Sequence, residues 1–196
     1  TALTTGHNNT AIGYQALKTE DTGQASTAVG AYSLYTQNND DTNGNTAVGY
    51  RSGYTIGAGT YNTIVGAYAG DALTTGGSNV VIGSSAAGAA TVLGSCVLIG
   101  QNAGDAITTS TGSNGAVGVG ANALGALTFG GQNTAVGYNA LNSEDTGWAT
   151  TAIGHGVLGN QVCPTSHEGT TDEMANTAVG AWAGQELTTG EHSVFI

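Results

Sequence analysis

The chain has 196 residues, 34 of them Gly and 1 Pro, with 8% charged side chains and a formal net charge of −11. An average domain holds about 7% Gly and about 25% charged residues, so this balance demands a special architecture; collagen is excluded because the glycines do not fall every third residue and proline is nearly absent. Lys18 and Arg51 are the only basic side chains, which leaves nothing to neutralise phosphates and excludes nucleic acid and anionic membrane surfaces as partners.

Taken in chain order, short TAVG-like runs end on Gly13, Gly30, Gly49, Gly66, Gly83, Gly100, Gly120, Gly137, Gly154 and Gly180, spaced 17, 19, 17, 17, 17, 20, 17, 17 and 26 residues apart. A fixed period of this kind overrides local secondary-structure signals. The residue before each glycine is always Ile or Val, among them Val48, Val65, Ile82, Ile99, Val136 and Ile153, and the residue three before it is always Thr or Val. Positions two apart share one face of a strand, and β-branched side chains favour that conformation, so each unit is predicted to open with a short strand. The unbroken apolar identity of the Ile/Val column marks it as the expected core column, with the mostly small column between, such as Ala28 and Ala135, forming a flat opposite face.

Within each unit the next signals also recur. A small column follows three residues after the glycine. The position after it is Leu at 17, 34, 124, 141 and 158 but Gly at 53, 70, 104 and 184; where it is Gly, a bulky residue appears three positions on, as Ile56, Leu73, Ile107 or Leu187. One plug supplied from either of two places keeps an interior filled. Glycines at 6, 23, 59, 76, 130 and 147 sit where a corner would need positive φ. An Asn column, including Asn9, Asn45, Asn62, Asn79, Asn133 and Asn176, suggests a side-chain hydrogen-bond ladder. The fold read from these columns is all-β: a parallel β-solenoid, or β-roll, of about ten 17-residue coils filling 1–196 as a single repeat domain. Surplus residues near 35–44, 105–114 and 158–175 are expected to bulge from it. The uncharged stretch Val80–Gly100 is long enough to raise a membrane span, but it keeps the repeat register and is read as coil.

Units such as "NTAIGYQALKTEDTGQ", "NTAVGYNALNSEDTGW" and "NTAVGAWAGQELTTGEH" resemble the repeats of phage and virus-like tail fibres, and the AVG/AIG strand followed by small residues is similar to the β-roll heads of trimeric autotransporter adhesins. That resemblance implies a trimeric, extracellular or virion-surface fibre serving as a spacer or receptor-binding rod.

No catalytic constellation stands out, and the chain is read as a non-enzyme without a cofactor. "GHGVLG" at 154–159 matches a dinucleotide fingerprint, yet its first glycine is the ordinary repeat glycine and no amphipathic helix follows. Asp40 and Asp41, in "QNNDDTNGN", offer oxygen ligands for calcium without the spacing of a known calcium loop. His167, Glu168, Asp172 and Glu173 form a second acidic loop. Cys96 and Cys163 fall on coils too far apart to bridge. Aromatic residues give the better lead: Tyr32, Tyr68, Trp148 and Trp182 are candidate contacts for a cell-surface glycan or a partner chain, while Tyr14, Tyr50 and Tyr138 share the column next to theirs. The expected function is a structural fibre or adhesin that self-associates, as a homotrimer or by end-to-end stacking. The alternatives are an ice-binding solenoid, which the recurring Thr suggests, or a subunit of a self-assembling extracellular filament. The 17-residue frame starts and stops in mid-coil, so the segment is expected to continue into a longer fibre or to stack on its neighbours.

Overall fold

The computed structural model describes residues 5–39, 42–107, 115–163 and 174–196. Its strands are β1 Thr10–Ile12, β2 Thr27–Val29, β3 Thr46–Val48, β4 Thr63–Val65, β5 Thr75–Gly77, β6 Val80–Ile82, β7 Val92–Gly94, β8 Val97–Ile99, β9 Val117–Val119, β10 Thr134–Val136, β11 Thr151–Ile153, β12 Thr177–Val179 and β13 Val194–Phe195. All but β5 and β7 form one 11-stranded sheet, and those two pair with each other. Every pairing is parallel and in register, so that Thr10 lies against Thr27, Thr27 against Thr46, and Val97 against Val117. No helix occurs among the described residues. Parallel neighbours one repeat apart, coil after coil, make the chain a β-solenoid of about ten turns of roughly 17 residues.

The motif glycine shows why each coil bends where it does. Gly49 sits at φ +139°, and a Cβ built there would lie 2.5 Å from the carbonyl oxygen of Gly66 in the next coil. Neither the dihedral nor the approach admits a side chain. The same column closes each strand, and the chain then turns sharply into the small residues Ala16, Ser33, Ser52 and Ala69, which are buried.

Inside the coils the Asn column forms the expected ladder. Asn45 donates to Gly59 O at 2.7 Å and accepts from the backbone N–H of Asn62 at 2.9 Å; Asn62 repeats this with Gly76 O and the N–H of Asn79. Each Asn therefore ties its own corner to the coil above, satisfying backbone groups that would be costly to bury unpaired.

Two expectations require correction. The Ile/Val column is not the core. In β3 Ala47 is 0% exposed while Val48 is 36% exposed; Ile153 is 40% and Ile12 60% exposed, and Val65, Ile82, Ile99 and Val136 are half-buried. From β2 to β12 in the large sheet the buried residue is the middle one of the strand, as at Ala28, Ala47, Ile64, Val81, Leu98, Ala135, Ala152 and Ala178, whereas the terminal β1 is exposed along its length. A 17-residue coil is narrow, and the plugs from the opposite wall fill it, so the column that must usually be small is the one that faces in. Interior volume is shared across three positions: Ile64 with Gly70 and Leu73, Leu98 with Gly104 and Ile107, but Ala28 with Leu34 and Gly118 with Leu124 and Leu127. The Leu/Gly column has positive φ throughout, +49° at Leu17 and +54° at Gly70, so Leu is accepted there in the left-handed region as the plug.

The second correction concerns the corners. Gly76 and Gly130 do have positive φ, but at Gly23 and Gly147 the requirement is room: a Cβ at Gly23 would lie 2.6 Å from the Glu20 carboxylate, and one at Gly147 2.7 Å from that of Glu144. The surplus spans are likewise narrower than expected, because Gln37, Asn43, Ile107, Leu158 and Gln161 are buried. The residues 40–41, 108–114 and 164–173 lie outside the described residues, and with them Asp40, Asp41, His167, Glu168, Asp172 and Glu173.

Candidate functional site

Two surfaces and one buried device emerge from the stack. The first surface is the outer face of the 11-stranded sheet. Its two outward columns carry Thr or Val at one position and Ile or Val at the other, and no charged residue enters either column, although the chain carries 13 acidic side chains. Eleven strands at about 4.8 Å make a bare ladder about 50 Å long. With two side chains across, its area is about 500 Å², of which the Ile/Val column supplies the continuous apolar strip and the Thr column a strip of methyl and hydroxyl groups.

The second surface is an aromatic track running along the corner just past the motif glycines of the first four coils. Tyr14, Tyr32, Tyr50 and Tyr68 follow one another up the stack. Their ring centroids are 5.4, 6.1 and 5.3 Å apart, with interplanar angles of 87°, 86° and 81°. Such edge-to-face steps let each ring edge meet its neighbour's negative face. Behind the track Tyr35 and Tyr54 stack at 4.8 Å and 11°. Both basic residues of the chain serve this corner. Lys18 Nζ donates to the Tyr35 hydroxyl at 2.9 Å, and this bond, more than any other influence, holds the lysine pKa above its ordinary value. Arg51 lies 4.0 Å over the Tyr54 ring and grips Asp71 with two bonds of 3.0 and 3.1 Å. The Asp71 hydrogen bond raises the Arg51 pKa, while partial burial, followed by the neighbouring tyrosines, raises that of the Tyr32 phenol.

Of the expected contact residues, the structure places Tyr32 and Tyr68 together on this track, bracketing Tyr50. Trp182 belongs to a separate cluster near the other end, edge-on to His155 at 4.3 Å, with His155 stacked on Tyr138 at 5.3 Å and 10°. Trp148 is apart from both, half-buried against Phe129 on another corner. Tyr35, Tyr54 and the Arg51–Asp71 pair were missed, although their common place five, or two, residues after a motif glycine marks them as corner neighbours.

The buried device was missed altogether. Glu20 and Glu144 sit in the plug column with no exposure, and Gln37 and Gln161 occupy the same column one coil on. Glu20 accepts from Gly23 N at 2.7 Å, Gln37 Nε2 at 2.9 Å and Asn43 Nδ2 at 2.8 Å. Glu144 accepts from Gly147 N at 2.7 Å, Gln161 Nε2 at 2.8 Å and Cys163 N at 3.2 Å. Gln37 and Gln161 in turn accept from Asn45 and Asn176. Both networks lie where the 17-residue spacing is broken, and they tie the flanks of the surplus residues to the rod. A carboxylate at a plug position, inside the repeated "EDTG", was the available signal.

Among the described residues no group of three or more His, Cys, Asp or Glu is placed to hold a metal ion, and no helix is long and apolar enough to cross a membrane. Cys96 and Cys163 are buried and form no disulfide; burial pushes the Cys96 thiol above its ordinary range. Gly154 of "GHGVLG" follows β11 and leads into a turn, where a dinucleotide site would need a helix. Compared with models of known protein families, with curated proteins and with solved structures, the chain finds no match.

Proposed function

We propose that this chain is a rod segment of a non-catalytic fibre or adhesin that self-associates through the outer face of its 11-stranded sheet. The observation that carries the reading is the uncharged ladder of Thr, Val and Ile in strict register. Copies with a net charge of −11 repel one another over most of their surface, and this face offers an approach without charge. Covering it removes apolar surface from water. Three copies around a common axis is the arrangement implied by the resemblance to trimeric β-roll heads, and such a fibre would act at a cell or virion surface.

Two neighbouring substitutions test it. Val65→Asp places a charge on the outer face and should leave the circular dichroism of the folded rod intact while reducing its mass by sedimentation to that of one chain. Ile64→Asp, one residue away, buries the charge inside the coil and should prevent folding. A wild-type protein that sediments as a single chain would overturn self-association.

The same face supports a second reading. The Thr column lies on the outer face of the sheet and recurs once per coil in register, the repeat that an ice-binding solenoid needs. Three Val residues, Val80, Val97 and Val117, interrupt it at mid-length. Thermal hysteresis by a single-chain species that Val65→Asp abolishes would favour this reading over the fibre.

A further inference from the structure

The geometry points to the track Tyr14–Tyr32–Tyr50–Tyr68 as a binding site for a neutral, extended β-1,4-linked hexopyranose chain lying parallel to the rod, one sugar per coil. The inference rests on the reading of the chain as an attachment rod, but not on its self-association. Three observations carry it.

The first is spacing. The four tyrosines come from four consecutive coils, so they advance by the parallel-strand spacing of about 4.8 Å each. An extended β-1,4-linked chain advances by nearly the same distance per sugar. An α-1,4-linked chain coils away from a straight line.

The second is alternation. Tyr14 and Tyr50 are one residue past their motif glycines, Tyr32 and Tyr68 two residues past theirs. Each ring stands nearly perpendicular to the one before, at 87°, 86° and 81°, and the chain position that supplies the ring repeats every second coil, so a straight ligand meets two attachment columns in alternation. An extended β-1,4-linked ribbon has the same two-residue period, because each sugar is flipped relative to the one before. Its C–H faces suit aromatic faces, and its hydroxyls suit phenol groups, in the way tyrosine combines an apolar body with a polar tip.

The third is charge. The chain carries a net charge of −11; at this corner Arg51 is paired with Asp71 at 3.0 Å, which leaves Lys18, bound to the Tyr35 hydroxyl, as a single positive charge against that excess. An anionic polymer is therefore disfavoured and an uncharged one is not. Arg51 acts instead as a positioning residue, lying over Tyr54 and within 5.9 Å of the Tyr68 ring centre. The Tyr138–His155–Trp182 cluster lacks the alternation, since its first two rings are parallel and share a column.

The test is calorimetric titration of the full chain with cello- and chito-oligosaccharides of two to six sugars, and with maltohexaose as the α-linked counterpart. The expected result is affinity for the β-linked series that grows up to four sugars and then levels, with no binding of maltohexaose. Tyr50→Ala should weaken binding by about tenfold, the scale of one lost aromatic contact; Tyr50→Phe should keep most of it, and Trp182→Ala all of it. Unchanged melting curves for these variants separate lost binding from lost fold. The proposal is overturned if neither β-linked series binds, if maltohexaose binds equally well, or if Trp182→Ala does the damage expected of Tyr50→Ala. Sedimentation of the same samples reports self-association independently, so a failure here leaves the fibre reading standing, and the reverse.

Discussion

Leu73→Ala offers the most direct test of how the interior is filled. Leu73 is fully buried, and its loss leaves a cavity in a coil whose backbone is held by ladders above and below, which limits collapse. A cost of about 2–5 kcal/mol follows. The place it leaves is next to Gly70, where a Cβ would lie 3.8 Å from Leu73 Cβ, 3.4 Å from Ile64 Cδ1 and 3.6 Å from Ile64 Cγ2. Gly70 sits at φ +54°, close to the +47° and +49° at which Leu34 and Leu17 fill their own coils. Gly70→Leu alone therefore overpacks the coil and should destabilise by about 1–3 kcal/mol. In the Leu73→Ala background the same change should stabilise, filling the cavity less about 1–2 kcal/mol for a side chain in the left-handed region. Adding Ile64→Ala, which gives the coil the small strand residue and Leu plug of the Ala28–Leu34 coil, should relieve the contacts at Ile64 that limit the repair. Urea unfolding followed by circular dichroism measures all four variants against wild type. The reasoning is refuted if Gly70→Leu has the same effect, in sign and size, with Leu73 and with Ala at 73.

Two further outcomes follow from the buried groups. Glu20→Gln turns an acceptor toward the Gln37 and Asn43 amides into a group that also donates, leaving buried N–H groups facing one another; it should cost about 1–3 kcal/mol, read as a lower unfolding midpoint, and Glu144→Gln should behave alike. Cys96 should resist alkylation in the native rod at pH 8 and react on addition of denaturant, because burial disfavours the thiolate; a native rate like that of free cysteine would refute its inward placement.

Much of this architecture was legible without coordinates. The spacing of the motif glycines determines the coil length, the three-residue strands, their parallel register and the Asn ladder, because each depends on what a residue meets one repeat away. The exchange of Leu for Gly plus a later plug was likewise legible as volume compensation. What the sequence left open was which face of a three-residue strand turns inward. Alternation separates Thr46 and Val48 from Ala47, but both faces are apolar, and only closure of a narrow coil shows that Ala47 is enclosed and Val48 left outside. The aromatic track needed the corner as well: Tyr35, Arg51, Tyr54 and Asp71 come from three successive coils and meet only because stacking aligns them. Glu20 and Glu144 became visible only once the fold placed them inside, where the N–H groups of the adjoining turn and the amide of the next coil hold each carboxylate without a cation.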